Sequence, residues 1–219
     1  MIIAIDGPSG SGKSTLGRML ARALKLLYID TGSMYRAVAL ATIETQVDPN
    51  DKEAVTALAN RIEIDLEGDP DSLSVLLNGR DVTDQIRTES VTEMSSVVST
   101  IPGVRRAMVE RQRAISKRGA VLNGRDIGTV VFPDADIKFF LTAAPEERAE
   151  RRYKEDQMTA ASSATFAETL ADMIERDRRD STRADSPLKV ADDAIVIDST
   201  GKNIDEVFEE MITHVHRNH

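Results

Sequence analysis

Hydrophobic and polar positions along this chain alternate between two periods, and the changes of period mark its elements. A short apolar run, Ile2-Ile3-Ala4-Ile5, reads as a buried strand. Beyond a glycine-rich stretch, Leu16, Met19, Leu20, Ala23 and Leu24 recur at helical spacing, so a helix is expected from Ser14 to about Leu27. Leu26-Leu27-Tyr28-Ile29 is a second short strand, and a second helix follows from Ser33 to about Thr45. Strand and helix in alternation predict a parallel sheet with helices on both faces. From Val47 the pattern changes. Asn50 with Glu53 marks a helix start, and Ile62-Glu63-Ile64-Asp65-Leu66 alternates as a half-exposed strand does. Leu73 to Leu77, the Asn78-Gly79 turn signal and Arg80-Asp81-Val82 complete a small antiparallel insert. Ile86 to Thr100 and Gly103 to about Arg118 read as helices separated at Ile101-Pro102.

The parallel pattern then resumes. Gly119 to Leu122 and Ile137 to Leu141 are strands, Pro145 to about Asp156 is a helix, and Met158 to Ala164 is a small polar stretch expected to be a mobile loop. Thr165 with Glu168 starts a helix reaching about Asp180, Ala194 to Ile197 is the last strand, and Asn203 with Glu206 starts a terminal helix with Val207, Met211 and Val215 on one face. The expected architecture is α/β: a three-layer αβα core with a parallel sheet of about five strands, interrupted by a segment that carries the small antiparallel insert.

Composition narrows what such a chain does. With 41% hydrophobic and 30% charged residues it is a globular composition, and the net charge of −9 disfavours nucleic acid as a partner. Cysteine is absent, which excludes disulfides and thiolate metal sites. No apolar run approaches the ~20 residues of a membrane span, and four apolar residues before Asp6 are too few for a signal peptide, so a cytoplasmic location is expected.

The chemistry begins at Gly7-Pro8-Ser9-Gly10-Ser11-Gly12-Lys13-Ser14-Thr15, between the first strand and the first helix. Four residues between two glycines, then Lys and Ser, form a phosphate-binding loop in the context that gives the pattern meaning. Backbone N–H groups and the helix N-terminus attract phosphate, Lys13 reaches the outer phosphates, and Ser14 offers a hydroxyl to Mg²⁺. Ligands of open parallel sheets gather at the carboxyl ends of strands. There Asp30-Thr31-Gly32 with Tyr35-Arg36, and Asn123-Gly124-Arg125-Asp126, supply polar groups, and Arg36 with Arg125 implies a second anion site. Arg176, Asp180 and Arg183 are spaced to share a helix face, with Arg179 beside them, so Asp180 is expected to hold both flanking arginines. Arg148 and Arg152 lie one turn apart on the preceding helix. His214, His216 and His219 read as a solvated tail. From these residues alone, a kinase of a nucleotide or another small metabolite and a nucleotide-switched binding module both remain open. The switch lacks the Asn-Lys-x-Asp signature of guanine readers.

Four stretches in order, IDGPSGSGKST, DTGSMYR, NGRDIGTVVFPDA and ERDRRDSTRADSPL, closely resemble the bacterial cytidylate kinases, members of the nucleoside monophosphate kinases. The resemblance covers essentially the whole chain. It implies one kinase domain over 1–219, with a core of 1–32, 119–147 and 190–219, a monophosphate lobe of 33–118 and a lid of 148–189. It implies ATP on Gly7 to Thr15 with Mg²⁺, and CMP and dCMP as acceptors for a monomeric enzyme. Arg36 and Arg125, with Thr31 nearby, would hold the monophosphate, and Ser96, Arg105 and Asp126 would read the cytosine edge. Asp180 and Arg183 would meet the ribose hydroxyls, and Arg176 and Arg179 the phosphates. Arg148 would stack on adenine beside the Ser199-Thr200-Gly201 loop. Two positions depart from the pattern: residue 123, commonly acidic in such enzymes, is Asn, and Thr31, where Ser is common, keeps the hydroxyl.

Overall fold

The computed structural model describes residues 1–159 and 164–217, and the chain divides into two units, 1–28 with 118–219 and 29–117. Most of the expected mobile loop, and His219, lie outside the described residues.

The central strands of the first unit are mostly apolar and show little alternation, as burial on both faces requires. β1 (Ile2–Asp6) pairs in parallel with β6 (Ala120–Gly124) on one side and β7 (Ile137–Thr142) on the other, and β8 (Ile195–Asp198) pairs with β7. With β2 (Leu27–Asp30), which carries the chain from the first unit into the second, the sheet order is β2-β6-β1-β7-β8. Ile3, Ile5, Leu122, Phe139 and Leu141 form its buried centre. Helix α1 (Lys13–Leu24) adds Leu16 and Leu20. It stops earlier than the expected Leu27 because Lys25 turns left-handed at φ 53° and its backbone N–H closes the last turn. Helices α6 (Pro145–Thr159) and α7 (Phe166–Thr182) pack together. The capping box expected at α7 forms in both directions between Thr165 and Glu168. Asn203 and Glu206 make the same reciprocal pair at α8 (Ile204–Arg217), which buries Val207, Met211 and Val215. His214 departs from the solvated-tail expectation. Its ring sits edge-on to Phe139 with centroids 6.5 Å apart, because residue 214 falls beside the apolar stripe.

In the second unit, α2 (Thr31–Glu44) begins two residues before the expected Ser33, since the Asp30 carboxylate caps it by accepting from Gly32 N–H at 3.0 Å. This helix is nearly all small and apolar, and Met34, Ala37 and Val38 are fully buried. Helix α3 (Lys52–Arg61) is capped by Asp51, not the expected Asn50; the Asp51 carboxylate accepts from Ala54 N–H. β3 (Ile64–Glu67), β4 (Ser74–Leu77) and β5 (Arg80–Asp81) form the antiparallel insert. Its turn places Asn78 and Gly79 at φ 50° and 76°, the conformation that an Asn-Gly pair adopts most easily. The single helix expected from Ile86 is a 3₁₀ turn, Gln85–Arg87, followed by α4 (Glu89–Val98), since extended Thr88 interrupts it. Pro102 opens α5 (Pro102–Ile115) at the position where its missing N–H costs nothing.

Candidate active site

The loop between β1 and α1 is shaped by close contact. Gly7, at φ 146°, lies where a Cβ would come within 2.1 Å of the Leu141 carbonyl oxygen, so only glycine lets the chain leave β1 against β7. Gly12 precedes α1 in the left-handed region, and no side chain caps the helix among the described residues. The first N–H groups of α1 are thus presented to an anion. Lys13, 6% exposed, donates to the Pro8 carbonyl at 2.5 Å and to Ser11 Oγ at 3.3 Å. Burial pulls its ammonium well below the usual lysine range, the Arg125 guanidinium pushes the same way, and Asp6 opposes both. Ser14 Oγ accepts a hydrogen bond from Asn123 Nδ2 at 3.1 Å.

Around this lysine the first unit gathers Arg125, Asp126, Arg176, Asp180 and Arg183. Asp180 Oδ2 accepts from Arg125 Nε at 2.8 Å, and Arg183 lies 3.7 Å from the other Asp180 oxygen and 3.8 Å from Asp126. The sequence spacing placed Arg176 and Arg183 on Asp180; the nearer partner is Arg125, one residue past β6, because α7 ends at Thr182 and Arg183 is already extended. Burial pushes the Asp180 carboxyl up, but Arg125, Arg176 and Arg183 outweigh it and hold the group below its ordinary value. Arg179 turns away to Glu175 at 3.9 Å, a surface pair shared with Arg178.

Arg148 is placed differently from its expected role. The residue is 5% exposed, with Nε donating to the Ala143 carbonyl and Nη1 to the Ser9 carbonyl at 3.0 Å and to Asp177 at 2.5 Å. Asp177 also accepts from Ser9 N–H at 3.4 Å. Arg148 thereby struts the phosphate loop against α7 instead of offering an open face to adenine. Thr200 accepts from Ala144 N–H and donates to Asp198, fixing the loop after β8. Arg152, one turn beyond Arg148, pairs with Asp156.

The second unit holds its own group. Arg36 pairs with Asp30 at 3.1 Å, and Thr31 is buried in the first turn of α2. Arg105, on α5, donates to the Ser99 carbonyl at 3.1 Å and lies over the Tyr35 ring at 5.4 Å, so Tyr35 supports the arginine from beneath. Ser96 donates back to the Thr92 carbonyl at 3.3 Å on α4.

Two acids were missed by the sequence reading. Asp177 was hidden in a run of charges, where spacing alone did not single it out. Asp6 had a usable signal: an acid at the end of an otherwise apolar buried strand. It is 4% exposed and accepts from Ile127 N–H at 2.9 Å and Gly128 N–H at 2.7 Å. These amides open a π-helical turn, Ile127–Val131, that periodicity did not show either. Burial raises the Asp6 carboxyl to about 6, the two amides and Lys13 lower it, and Asp126 adds to the rise. Between its unfolded and folded values the native state binds the extra proton, so the Asp6 contribution stabilises the fold as pH falls from about 6 toward the ordinary carboxylate value. The melting temperature of Asp6→Asn minus that of wild type should therefore be more positive at pH 7.5 than at pH 4.5, as thermal melts by circular dichroism would show.

A strand-to-helix phosphate loop at the head of a parallel sheet, with a buried lysine and paired arginines beside it, defines a P-loop phosphate-binding protein. The family model for cytidylate kinase matches residues 3–217, and the chain belongs to that family. Cytidylate kinase of Geobacter sp. (strain M21) is 48% identical over 96% of this chain and 91% of its own length. That of Corynebacterium efficiens is 50% identical over 97% of this chain and 93% of its own. A crystal structure of an uncharacterized protein from Eubacterium ventriosum shares the fold at a TM-score of 0.55 and 12% identity, covering 99% of this chain and 98% of that one.

Proposed function

We propose that the protein transfers the terminal phosphoryl group of ATP to CMP and dCMP, yielding ADP and CDP or dCDP. The observation that carries this reading is that membership of the cytidylate kinase family runs through the phosphate loop and through every stretch that would take the acceptor. Gly7, Pro8, Ser9, Gly10, Ser11, Gly12 and Thr15 would wrap the ATP phosphates, all but Pro8 with backbone N–H groups. Lys13 would leave the Pro8 carbonyl for the transferring group, and Arg125, Arg176 and Arg179 would neutralise charge spread over its oxygens. Arg36 and Arg125, with Thr31, would hold the acceptor phosphate, and Asp180 with Arg183 the ribose. No general base is needed, because the attacking phosphate oxygen is already anionic.

Asp126 would accept from the exocyclic amine of cytosine while Arg105 and Ser96 donate to its carbonyl and ring nitrogen; uracil reverses the donor at the first position. Tyr35 would keep Arg105 in place. The residues at the loop also fit Mg²⁺. Ser14 and Asn123 bring neutral oxygen donors, and among the described residues no cluster of three acids or histidines forms a separate cage, which suits an ion held mainly by phosphates and water. When bound it neutralises and aligns the outer phosphates; Ser14 would hold it, and Asn123 would hydrogen-bond its water shell. Arg148 and Thr200 would border the adenine side, and 148–189 would move as the lid. CMP and ATP are cytoplasmic metabolites, and we place a monomeric enzyme there. No helix among the described residues is long and apolar enough to cross a membrane.

The test is coupled ADP formation with CMP, dCMP, UMP and AMP offered singly. Cytosine acceptors should be favoured over UMP by about 100-fold or more in kcat/KM, and Asp126→Ala should erase most of that margin. Turnover indifferent to the acceptor would overturn the reading.

A further inference from the structure

We infer that Asp6 is a positioning residue for acceptor choice: its carboxylate fixes the backbone that aims Asp126 and Arg125. The inference rests on the reading that Asp126 meets the acceptor base. Asp6 ends β1, and β1 pairs residue for residue with β6 up to Asp6 beside Gly124. Past that point the pairing with β1 ends, and the chain runs from Gly124 into the π-helical turn. The two oxygens of Asp6 take over, one on Ile127 N–H and the other on Gly128 N–H. The Asp126 carbonyl in turn accepts from Val130 and Val131 N–H groups, so the residue is fixed from both sides of its own peptide. Gly128 is closely packed: a Cβ there would meet the Lys138 side chain at 3.1 Å. Lys138 itself is engaged with the Pro133 carbonyl and Asp193.

An ionised carboxylate is the one side chain of this size that accepts at both oxygens. Asparagine keeps a single acceptor and turns an NH₂ group toward the second amide, so one of the two N–H bonds is lost and the segment shifts. The charged groups that face Asp6 are Asp126, from the segment it holds, and Lys13, from α1. Neither replaces the two backbone bonds, since Lys13 carries no acceptor and Asp126 is the residue being aimed.

The experiment compares wild type, Asp6→Asn and Asp126→Asn with CMP and UMP at saturating ATP, alongside amide exchange at Ile127 and Gly128. Asp6→Asn should lower the CMP-to-UMP ratio of kcat/KM by about tenfold, mostly through KM for CMP, and leave KM for ATP within about twofold. A loss of stability alone would scale both acceptors together and leave their ratio intact. An unchanged ratio in Asp6→Asn beside a collapsed one in Asp126→Asn overturns the inference. An unchanged ratio in Asp126→Asn overturns the base-reading role on which it rests. If Asp6→Asn does not fold, wild-type exchange decides: strong protection of both amides supports the carboxylate clamp, and exchange at the rate of an open loop overturns it.

Discussion

Replacing Lys13 by Met should lower kcat by about 10³-fold, with KM for CMP nearly unchanged, in steady-state assays at saturating ATP. The ammonium is placed to act on charge that develops at the transferring group, while the acceptor nucleoside is assigned to other residues. The same substitution should raise the melting temperature. Lys13 is buried next to Arg125, and both facts press its proton off, so a charged lysine costs the fold stability at neutral pH. Because its folded value lies below its unfolded one, that cost is present at neutral pH and fades as pH rises toward the ordinary lysine range. The thermal advantage of Lys13→Met should shrink over the same interval. A variant both inactive and less stable at pH 7 would contradict the assignment.

Asp180→Ala should destabilise the protein by about 3 kcal/mol and reduce kcat by about 100-fold. The Arg125–Asp180 side chains are 18% and 14% exposed, so the charge left behind is only partly screened. Arg125, Arg176 and Arg183 would then repel one another, and Arg125 would lose the bond that sets its direction from β6. Asp180→Asn should recover part of the lost stability by keeping a hydrogen-bond acceptor, but not the activity. The Asp180 carboxyl is held below its ordinary value, so its contribution is complete above that value and disappears as pH falls through the lower, folded one. The stability gap between wild type and Asp180→Ala, from urea unfolding, should close in acid on that schedule.

The sequence and structure agree best where a single physical period or motif dominates. The apolar runs of β1, β6 and β7 and the stripe of α8 were legible because burial on two faces, or on one, leaves a regular mark. The phosphate loop was legible because its glycines, lysine and serine have fixed jobs. What escaped was set by partners distant in the chain. Arg125 reaches Asp180 across 55 residues, and Asp6 reaches Gly128 across 122, contacts that no local window contains. Arg148 was assigned by resemblance to an open stacking role, whereas the burial that commits it to Ser9 and Asp177 arises from packing of α6 and α7. Helix ends drifted for local reasons: Asp30 starts α2 two residues early and Asp51 takes the place of Asn50 at α3, since an acid beside the first free N–H groups satisfies them directly.

The way α6 and α7 grip the phosphate loop has a bearing on which substitutions the chain tolerates together. Arg148 and Asp177 hold Ser9 through its carbonyl and its amide, groups that every residue but proline supplies. Position 9 is therefore open to exchange among small side chains. Positions 148 and 177 form a closed pair, in which losing Asp177 strands a buried charge and losing Arg148 a half-buried one. A library diversifying this loop can vary residue 9 alone, but must change 148 and 177 in one step, and a drifting lineage would cross that gap only by a compensated double change.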